Sequence, residues 1–134
     1  MSTVWPVLHY DDTEAALRFL VDVVGFAESV VVRDEVDDVV HAELAWPGGG
    51  TVLLGGTKHV GGAHSGLKAG ALYLVTDDVD AVHDRLVAAS ADVVMAPHET
   101  SFAAGGPTRA CSARDTEGNL LTFGTYRGGT PAKI

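Results

Sequence analysis

The sequence predicts an α+β fold in which two β-α-β-β-β modules form a curved, eight-stranded, cup-like sheet. The first observation behind this prediction is an internal repeat. Residues 11–20 recur 66 positions later as residues 77–86, and residues 42–56 recur 68 positions later as residues 110–124. The second is the hydrophobic pattern, which gives the same order of short β-type segments and one amphipathic helix in each half. Because 134 residues suffice for one hydrophobic core, we assign residues 1–134 to a single domain.

Module one is predicted to span residues 4–56 and to open with an apolar strand at residues 4–9. Asp11 and Glu14 are the pair expected to cap the following helix, and Gly25 suits its left-handed end. Apolar residues at helical spacing form the predicted buried face of this helix: Ala16, Leu17, Leu20, Val23 and Val24. Three strands then complete the module, at residues 27–33, 39–46 and 51–55.

Module two is predicted to span residues 70–125, after a Gly- and His-rich linker at residues 57–69. Its first strand covers residues 71–76, and Asp77 or Asp78 caps its helix. Its other strands are predicted at residues 93–97, 108–114 and 119–125, and His98 after Pro97 indicates a loop. One helix covers only one face of a four-stranded sheet, so the other face must become a core, a dimer contact or a lined cavity.

Charge and cysteine content exclude several classes of function. Eighteen acidic residues against nine Lys and Arg give a net charge of −9, which offers no basic surface to nucleic acid or to an anionic membrane. A single cysteine, Cys111, forms no intrachain disulfide and is expected to be a small buried residue. The sequence contains neither a signal-peptide pattern nor an apolar run long enough to span a bilayer. These features predict a cytoplasmic protein.

Three segments of the chain resemble a known family. They are residues 10–16 (YDDTEAA) with Phe19, residues 24–26 (VGF), and residues 115–124 (DTEGNLLTFG). Together with the duplicated module, they are similar to the vicinal oxygen chelate superfamily, which includes glyoxalase I, extradiol dioxygenases and bleomycin-resistance proteins. Two residues depart from the family pattern: Thr116 stands where proline is common, and Ser90 where glycine usually ends the second helix.

The resemblance implies a site on the inner face of the cup, with metal ligands on the first and last strands of each module in the metalloenzymes of the family. Those positions correspond to Trp5, Leu54, Ala71 and Thr122. Divalent metals require imidazole or carboxylate ligands, which tryptophan, leucine and alanine do not supply. We therefore expect no metal and no cofactor, as in the bleomycin-resistance branch, in which the cup sequesters a small molecule.

Eight residues are predicted to line this ligand site: Trp5, His9, His41, Glu43, Leu54, Tyr73, Arg109 and Thr122. Trp5 and Tyr73 would offer aromatic surfaces to a planar or hydrophobic ligand. Arg109 would bind an anionic group of the ligand or pair with Glu43. In the alternative reading, His41 and Glu43 face solvent on an outer strand.

Function remains open among three classes at this point. The first is a metal-independent binder of a small aromatic or hydrophobic molecule, working as a homodimer because sheet edges and apolar faces need partners. The second is a glyoxalase-like lyase or dioxygenase with a rearranged metal site at His9, His41 and Glu43. The third is a plugged cup retained as an interaction scaffold. His59 and His64 lie in the linker, which is either solvated or a lid over the cup.

Overall fold

A computed structural model describes residues 4–59, 70–101 and 107–127. The elements of the first half are β1 (Val7–Tyr10), α1 (Thr13–Arg18) with a π-helical continuation (Phe19–Val24), β2 (Ala27–Arg33), β3 (Val39–Ala45), β4 (Thr51–Gly56) and a 3₁₀ turn (Thr57–His59). Those of the second half are β5 (Ala71–Val75), α2 (Val79–Ala88), β6 (Asp92–Ser101), β7 (Pro107–Arg114) and β8 (Leu120–Gly124). The order β-α-β-β-β therefore occurs twice, as predicted. Linker residues 60–69, including His64, lie outside the described residues.

Each half forms a four-stranded mixed sheet. The strand order is β1-β4-β3-β2 in the first sheet and β5-β8-β7-β6 in the second. The first strand of each sheet pairs with the last in parallel, and the other pairs are antiparallel. Two separate four-stranded sheets with one helix each confirm the predicted α+β fold and are consistent with a curved, cup-like arrangement of two modules.

The helices begin and end at residues that the sequence makes suitable. Asp12, rather than the predicted Asp11, caps α1, because its carboxylate accepts the Ala15 N–H at 3.0 Å. Asp78 caps α2 in the same way. Gly25 ends the first helix with φ 108°, in the left-handed region where glycine carries no steric penalty.

Alternation along the strands separates two faces of each sheet. One face packs against the helix and contributes the buried core, which includes Tyr10, Leu44, Leu54 and Phe123. We call the opposite face, which no helix of its own module covers, the open face. Since the open faces carry the side chains that remain accessible, any ligand site of the predicted kind depends on them.

The sixth strand differs from its prediction. β6 continues through Pro97 and His98, where a loop was expected, and pairs with β7 as far as Ser101. The pairing shifts register between Met95 and His98, as in a β-bulge. A proline is tolerated there because β6 is an edge strand and a bulge requires no ladder hydrogen bond from that residue. The bulge brings His98 onto the open face.

The two modules are joined by hydrogen bonds at both ends of their junction. At one end, Tyr10 donates to Asp115, and the backbone N–H groups of Asp11 and Asp12 donate to Glu117 at 2.7 and 2.8 Å. At the other end, the Trp46 Nε1–H donates to the Val75 carbonyl at 2.8 Å, and the Trp46 ring makes tilted contacts with the rings of Phe26 and Phe123. Trp46 of module one thus packs against module two.

Candidate functional site

The open face of the second sheet contains a cavity of about 590 Å³. Its walls include the side chains of Tyr73, Met95, His98, Ser112, Leu120 and Thr122. Tyr73 is 43% exposed and Met95 49% exposed, so large apolar surfaces face solvent here. An apolar hollow with a few polar groups has the composition of a small-molecule site.

Two of the predicted residues, Tyr73 and Thr122, lie together in this cavity. They are neighbours across the β5–β8 pair, and the Thr122 hydroxyl shares a 2.8 Å hydrogen bond with Ser112. The Tyr73 ring lies over Gly124, where a Cβ would overlap the phenol oxygen. The Tyr73 hydroxyl donates to the Tyr126 carbonyl at 2.9 Å, and partial burial raises the pKa of this phenol. The aromatic ring is therefore held in one position.

The open face of the first sheet contains three further predicted residues. His41 and Glu43 alternate with core residues along β3, and His41 Nε2 lies 3.0 Å from a carboxylate oxygen of Glu43. Gly55 pairs with both His9 and His41, and a Cβ at Gly55 would lie 3.3 Å from His9 Cδ2. The His9 ring therefore lies across a glycine, beside the His41–Glu43 pair.

Apolar side chains surround these polar groups. Val30 and Val32 pair with Glu43 and His41, and both valines are exposed. Trp5, two residues before Val7, is 46% exposed, and strand alternation puts it on the same side as Val7 and His9. The first open face thus combines an apolar surface with one imidazole–carboxylate pair.

Leu54 is not on the open face, and its prediction as a site residue is wrong. It is fully buried against the helix side of the first sheet. Thr122 pairs with Tyr73, and the equivalent pair in the first sheet is Leu53 with Val7. The repeat offset in the last strand is thus 69 positions instead of 68, and a slip of one residue transfers a side chain to the opposite face.

Arg109 is also on the helix-facing side, so the prediction that it lines the cup is wrong. Its Nε and Nη2 groups donate to the Asp80 carboxylate of α2 at 3.0 and 2.7 Å. The hydrogen bond from Arg109 holds the pKa of Asp80 below its usual value. The physical reason is the same one-residue slip, which brings Arg109 over α2, where a carboxylate is available.

Cys111 alternates with these open-face positions and points into the core. It is fully buried, and its thiol faces the Val79 carbonyl at the start of α2. Burial raises the pKa of the Cys111 thiol to about 11, so the thiolate is disfavoured at neutral pH. The prediction of a small buried residue is confirmed.

The residues at the family's metal-ligand positions do not fit a divalent metal. With the corrected register these positions are Trp5, Leu53, Ala71 and Thr122, of which Thr122 alone has a side-chain oxygen, and that hydroxyl is bonded to Ser112. Within residues 4–59, 70–101 and 107–127, no three His, Cys, Asp or Glu side chains are grouped so that they could hold a metal ion. The available side chains thus give no support to a divalent metal at the family's ligand positions or at His9, His41 and Glu43.

Comparison with family models identifies the superfamily. The model of the Glyoxalase/Bleomycin resistance protein/Dioxygenase superfamily matches residues 4–123. The chain belongs to this superfamily. The match covers both modules, in agreement with the repeated β-α-β-β-β order. A search of curated proteins finds no match.

Solved structures agree with this assignment. TioX from Micromonospora sp. ML1 is 28% identical to the chain, with a TM-score of 0.77 over 92% of this chain and 98% of TioX. A glyoxylase/bleomycin resistance protein/dioxygenase domain from Frankia sp. EAN1pec is 22% identical, with a TM-score of 0.67 over 95% of this chain and 99% of that domain. Lactoylglutathione lyase from Agrobacterium tumefaciens is 19% identical, with a TM-score of 0.68 over 92% of each chain. The two more distant structures show the shared fold.

No α-helix within the described residues is both long enough and apolar enough to cross a membrane.

Proposed function

We propose that this superfamily member binds a small aromatic or hydrophobic molecule against its open sheet faces, without a metal. The observation that carries the proposal is the cavity on the second open face, about 590 Å³ in volume and lined by Tyr73, Met95 and Leu120 together with hydroxyl groups. Transfer of an apolar ligand from water to such a surface is favourable by about 25 cal/mol per Å² of apolar area buried.

Polar groups beside the apolar surface would orient the ligand. The site-residue set of this proposal is Trp5, His9, His41 and Glu43 on the first face, with Tyr73 and Thr122 on the second. The His41–Glu43 pair is partly exposed, so its imidazole and carboxylate remain available to a hydroxyl or amine of the ligand. We therefore expect a ligand with a large apolar body and few polar groups.

The proposal includes a homodimer in the cytoplasm. Exposed valines on β2 and exposed Met95 on β6 give each chain two apolar sheet faces, and a second copy would cover them and enclose the ligand. A buried, protonated Cys111 is compatible with a reducing compartment. The ligand is a small molecule in this proposal, and neither nucleic acid nor a membrane is a partner, given the net charge of −9.

The first experiment is native mass spectrometry of tag-free protein, followed by titration with N-phenyl-1-naphthylamine, an uncharged fluorescent probe. We expect the mass of a dimer, and probe binding that chelator leaves unchanged. Trp5→Ala and Met95→Ala should each weaken probe binding about tenfold or more, because each removes exposed apolar surface of the open faces. Val36→Ala is a matched control, since Val36 is exposed in the turn between β2 and β3.

Each alternative function predicts a different result. A metalloenzyme at His9, His41 and Glu43 would retain about one divalent ion per site and lose it on His9→Ala. A plugged scaffold would bind no probe, and its assembly alone would respond to open-face substitutions. Either result would contradict the binding proposal.

A further inference from the structure

A second cavity, of about 330 Å³, lies between the two modules. We call it the intermodule cleft. One wall consists of the start of module one and its β3–β4 turn, including Pro6 and residues 48–50, and the other of Leu72, Tyr73 and Leu74 on β5. It differs in its residues from the open-face cavity and shares only Leu72 and Tyr73 with it.

Aromatic rings form one end of the cleft. Phe26 and Trp46 lie with ring centroids 4.9 Å apart and both line the cavity. Trp46 is fixed by its hydrogen bond to the Val75 carbonyl and by Phe123 behind it, at a centroid distance of 6.3 Å. A rigid indole presented to a cavity is a stacking surface for a planar ring, because little conformational freedom is lost on binding.

Arg127 is the one charged residue among the described residues that line the cleft. Its Nη2 group donates to Asp77 at 2.6 Å, but the two side chains are 60% and 87% exposed. An exposed ion pair of this kind is held weakly, because solvent screens both charges. The guanidinium can therefore exchange Asp77 for the carboxylate of a ligand, with which it forms two parallel hydrogen bonds.

We propose that the intermodule cleft is a second ligand site, which binds a small planar aromatic carboxylate. Its ring stacks on Trp46 between the apolar walls, and its carboxylate pairs with Arg127 at the mouth. The volume lies at the lower end of the range for small-molecule pockets and suits a one-ring or fused two-ring acid. This site is separate from the open-face site of the proposed function.

The chain carries a reporter for each site, because its two tryptophans are Trp5 beside the first open face and Trp46 in the cleft. The probe is 4-nitrobenzoate, whose nitroaromatic ring quenches indole fluorescence on contact. In Trp5→Phe we expect saturable quenching of Trp46. In Trp46→Phe we expect only the linear, collisional quenching of Trp5. Saturable quenching of Trp5, or no saturable quenching in Trp5→Phe, would overturn the proposal.

Two comparisons test the carboxylate and the arginine. Uncharged 4-nitrobenzamide should bind about tenfold more weakly than 4-nitrobenzoate, and Arg127→Gln should weaken 4-nitrobenzoate by a similar factor, since each removes the charged hydrogen bonds. Asp77→Asn should bind as well as the parent or better, because it releases Arg127. Equal affinity for the acid and the amide, or an equal loss in Asp77→Asn and Arg127→Gln, would overturn the assignment of Arg127.

The thermal unfolding temperature of each variant is also measured, because Trp46 contributes to the packing between the two modules and its substitution can lower stability. Trp5→Phe alters an exposed side chain and leaves Trp46 in place, so the decisive titration does not depend on the stability of Trp46→Phe. If 4-nitrobenzoate binds and N-phenyl-1-naphthylamine does not, the open-face proposal alone is refuted. If N-phenyl-1-naphthylamine binds and 4-nitrobenzoate does not, the cleft proposal alone is refuted.

Discussion

Tyr10 and Asp115 are 105 positions apart in the chain, and the phenol of one donates to the carboxylate of the other inside the protein. Asp115 also accepts the backbone N–H groups of Glu117 and Asn119, and the side-chain amide of Asn119 at 2.9 Å. One buried carboxylate thereby organises the β7–β8 turn and attaches it to module one. Burial, followed by the nearby Asp115 charge, raises the pKa of Tyr10.

Tyr10→Phe should change the pH dependence of stability. In the unfolded chain a tyrosine ionises near pH 10, whereas folded Tyr10 keeps its proton above that value because its pKa is raised. The unfolded state alone therefore loses a proton, and the free energy of unfolding falls by about 1.4 kcal/mol per pH unit above about pH 10.

Tyr10→Phe lacks this phenol, so its free energy of unfolding should fall less steeply with pH above about pH 10. At pH 8 the variant should be less stable than the parent by about 1–3 kcal/mol. Urea unfolding of both proteins between pH 8 and 11 measures the effect. Tyr73 and Tyr126 are present in both, so the difference isolates Tyr10. Parallel pH profiles would contradict the prediction.

At the scale of secondary-structure elements, the C-terminal end of α2 places a non-glycine residue in a left-handed conformation. Ala91 donates to Leu86 and Ser90 donates to Val87, the two hydrogen bonds of a Schellman motif. Ser90 occupies the left-handed position of that motif with φ 56°, where a side chain is disfavoured and glycine is preferred.

Ser90→Gly should therefore raise the free energy of unfolding by up to about 1 kcal/mol, because it relieves the left-handed strain at the end of α2. Ser90→Ala retains the Cβ and should give no gain. Urea unfolding at neutral pH compares the three proteins. A gain in Ser90→Ala equal to that in Ser90→Gly would show that the backbone conformation is not the cause.

Strand register explains which site residues could be predicted. Alternation along β3 was sufficient to predict that His41 and Glu43 share one face of their strand, whereas His9 joins them because His9 and His41 both pair with Gly55. Leu54 and Arg109 were placed on the wrong face because the repeat was aligned by identities at an offset of 68, whereas the β3–β4 and β7–β8 pairs correspond at an offset of 69. His98 was missed because a proline within β6 looks like the end of a strand when its edge position is unknown. Met95 lies within the predicted strand, but the register shifts on either side of it decide which face its side chain takes.

At the scale of the whole molecule, Arg85 connects the two helices. Its side chain on α2 donates to the carbonyls of Val23 and Val24 at 3.1 and 3.2 Å, where the first helix ends and its backbone acceptors lack helical partners. A cation at a helix C-terminus also interacts favourably with the helix dipole. Arg85 therefore contributes to the packing of one module on the other.

Arg85→Met should lower the free energy of unfolding by about 1–2 kcal/mol, because two carbonyls lose a charged donor. Arg18→Met is the matched control: it removes the same charge from an exposed position on α1 and should change stability by less than about 0.5 kcal/mol. Urea unfolding measures both. If both variants lose the same free energy of unfolding, the change in net charge is the cause and the contact between the modules is not.

The sequence by itself determined the order of elements in each module, the end of the first helix at Gly25 and the burial of Cys111. These features follow from local periodicity and from residue types with one strong conformational or solvation preference. Tertiary structure decided the features that depend on pairing between distant segments. The strand register places Leu53 instead of Leu54 on the open face, and Arg109 forms an ion pair with Asp80. The cleft forms where Trp46 packs against β5. Local patterns repeat every two or 3.6 residues, so they specify faces within an element but carry no information on which element those faces meet.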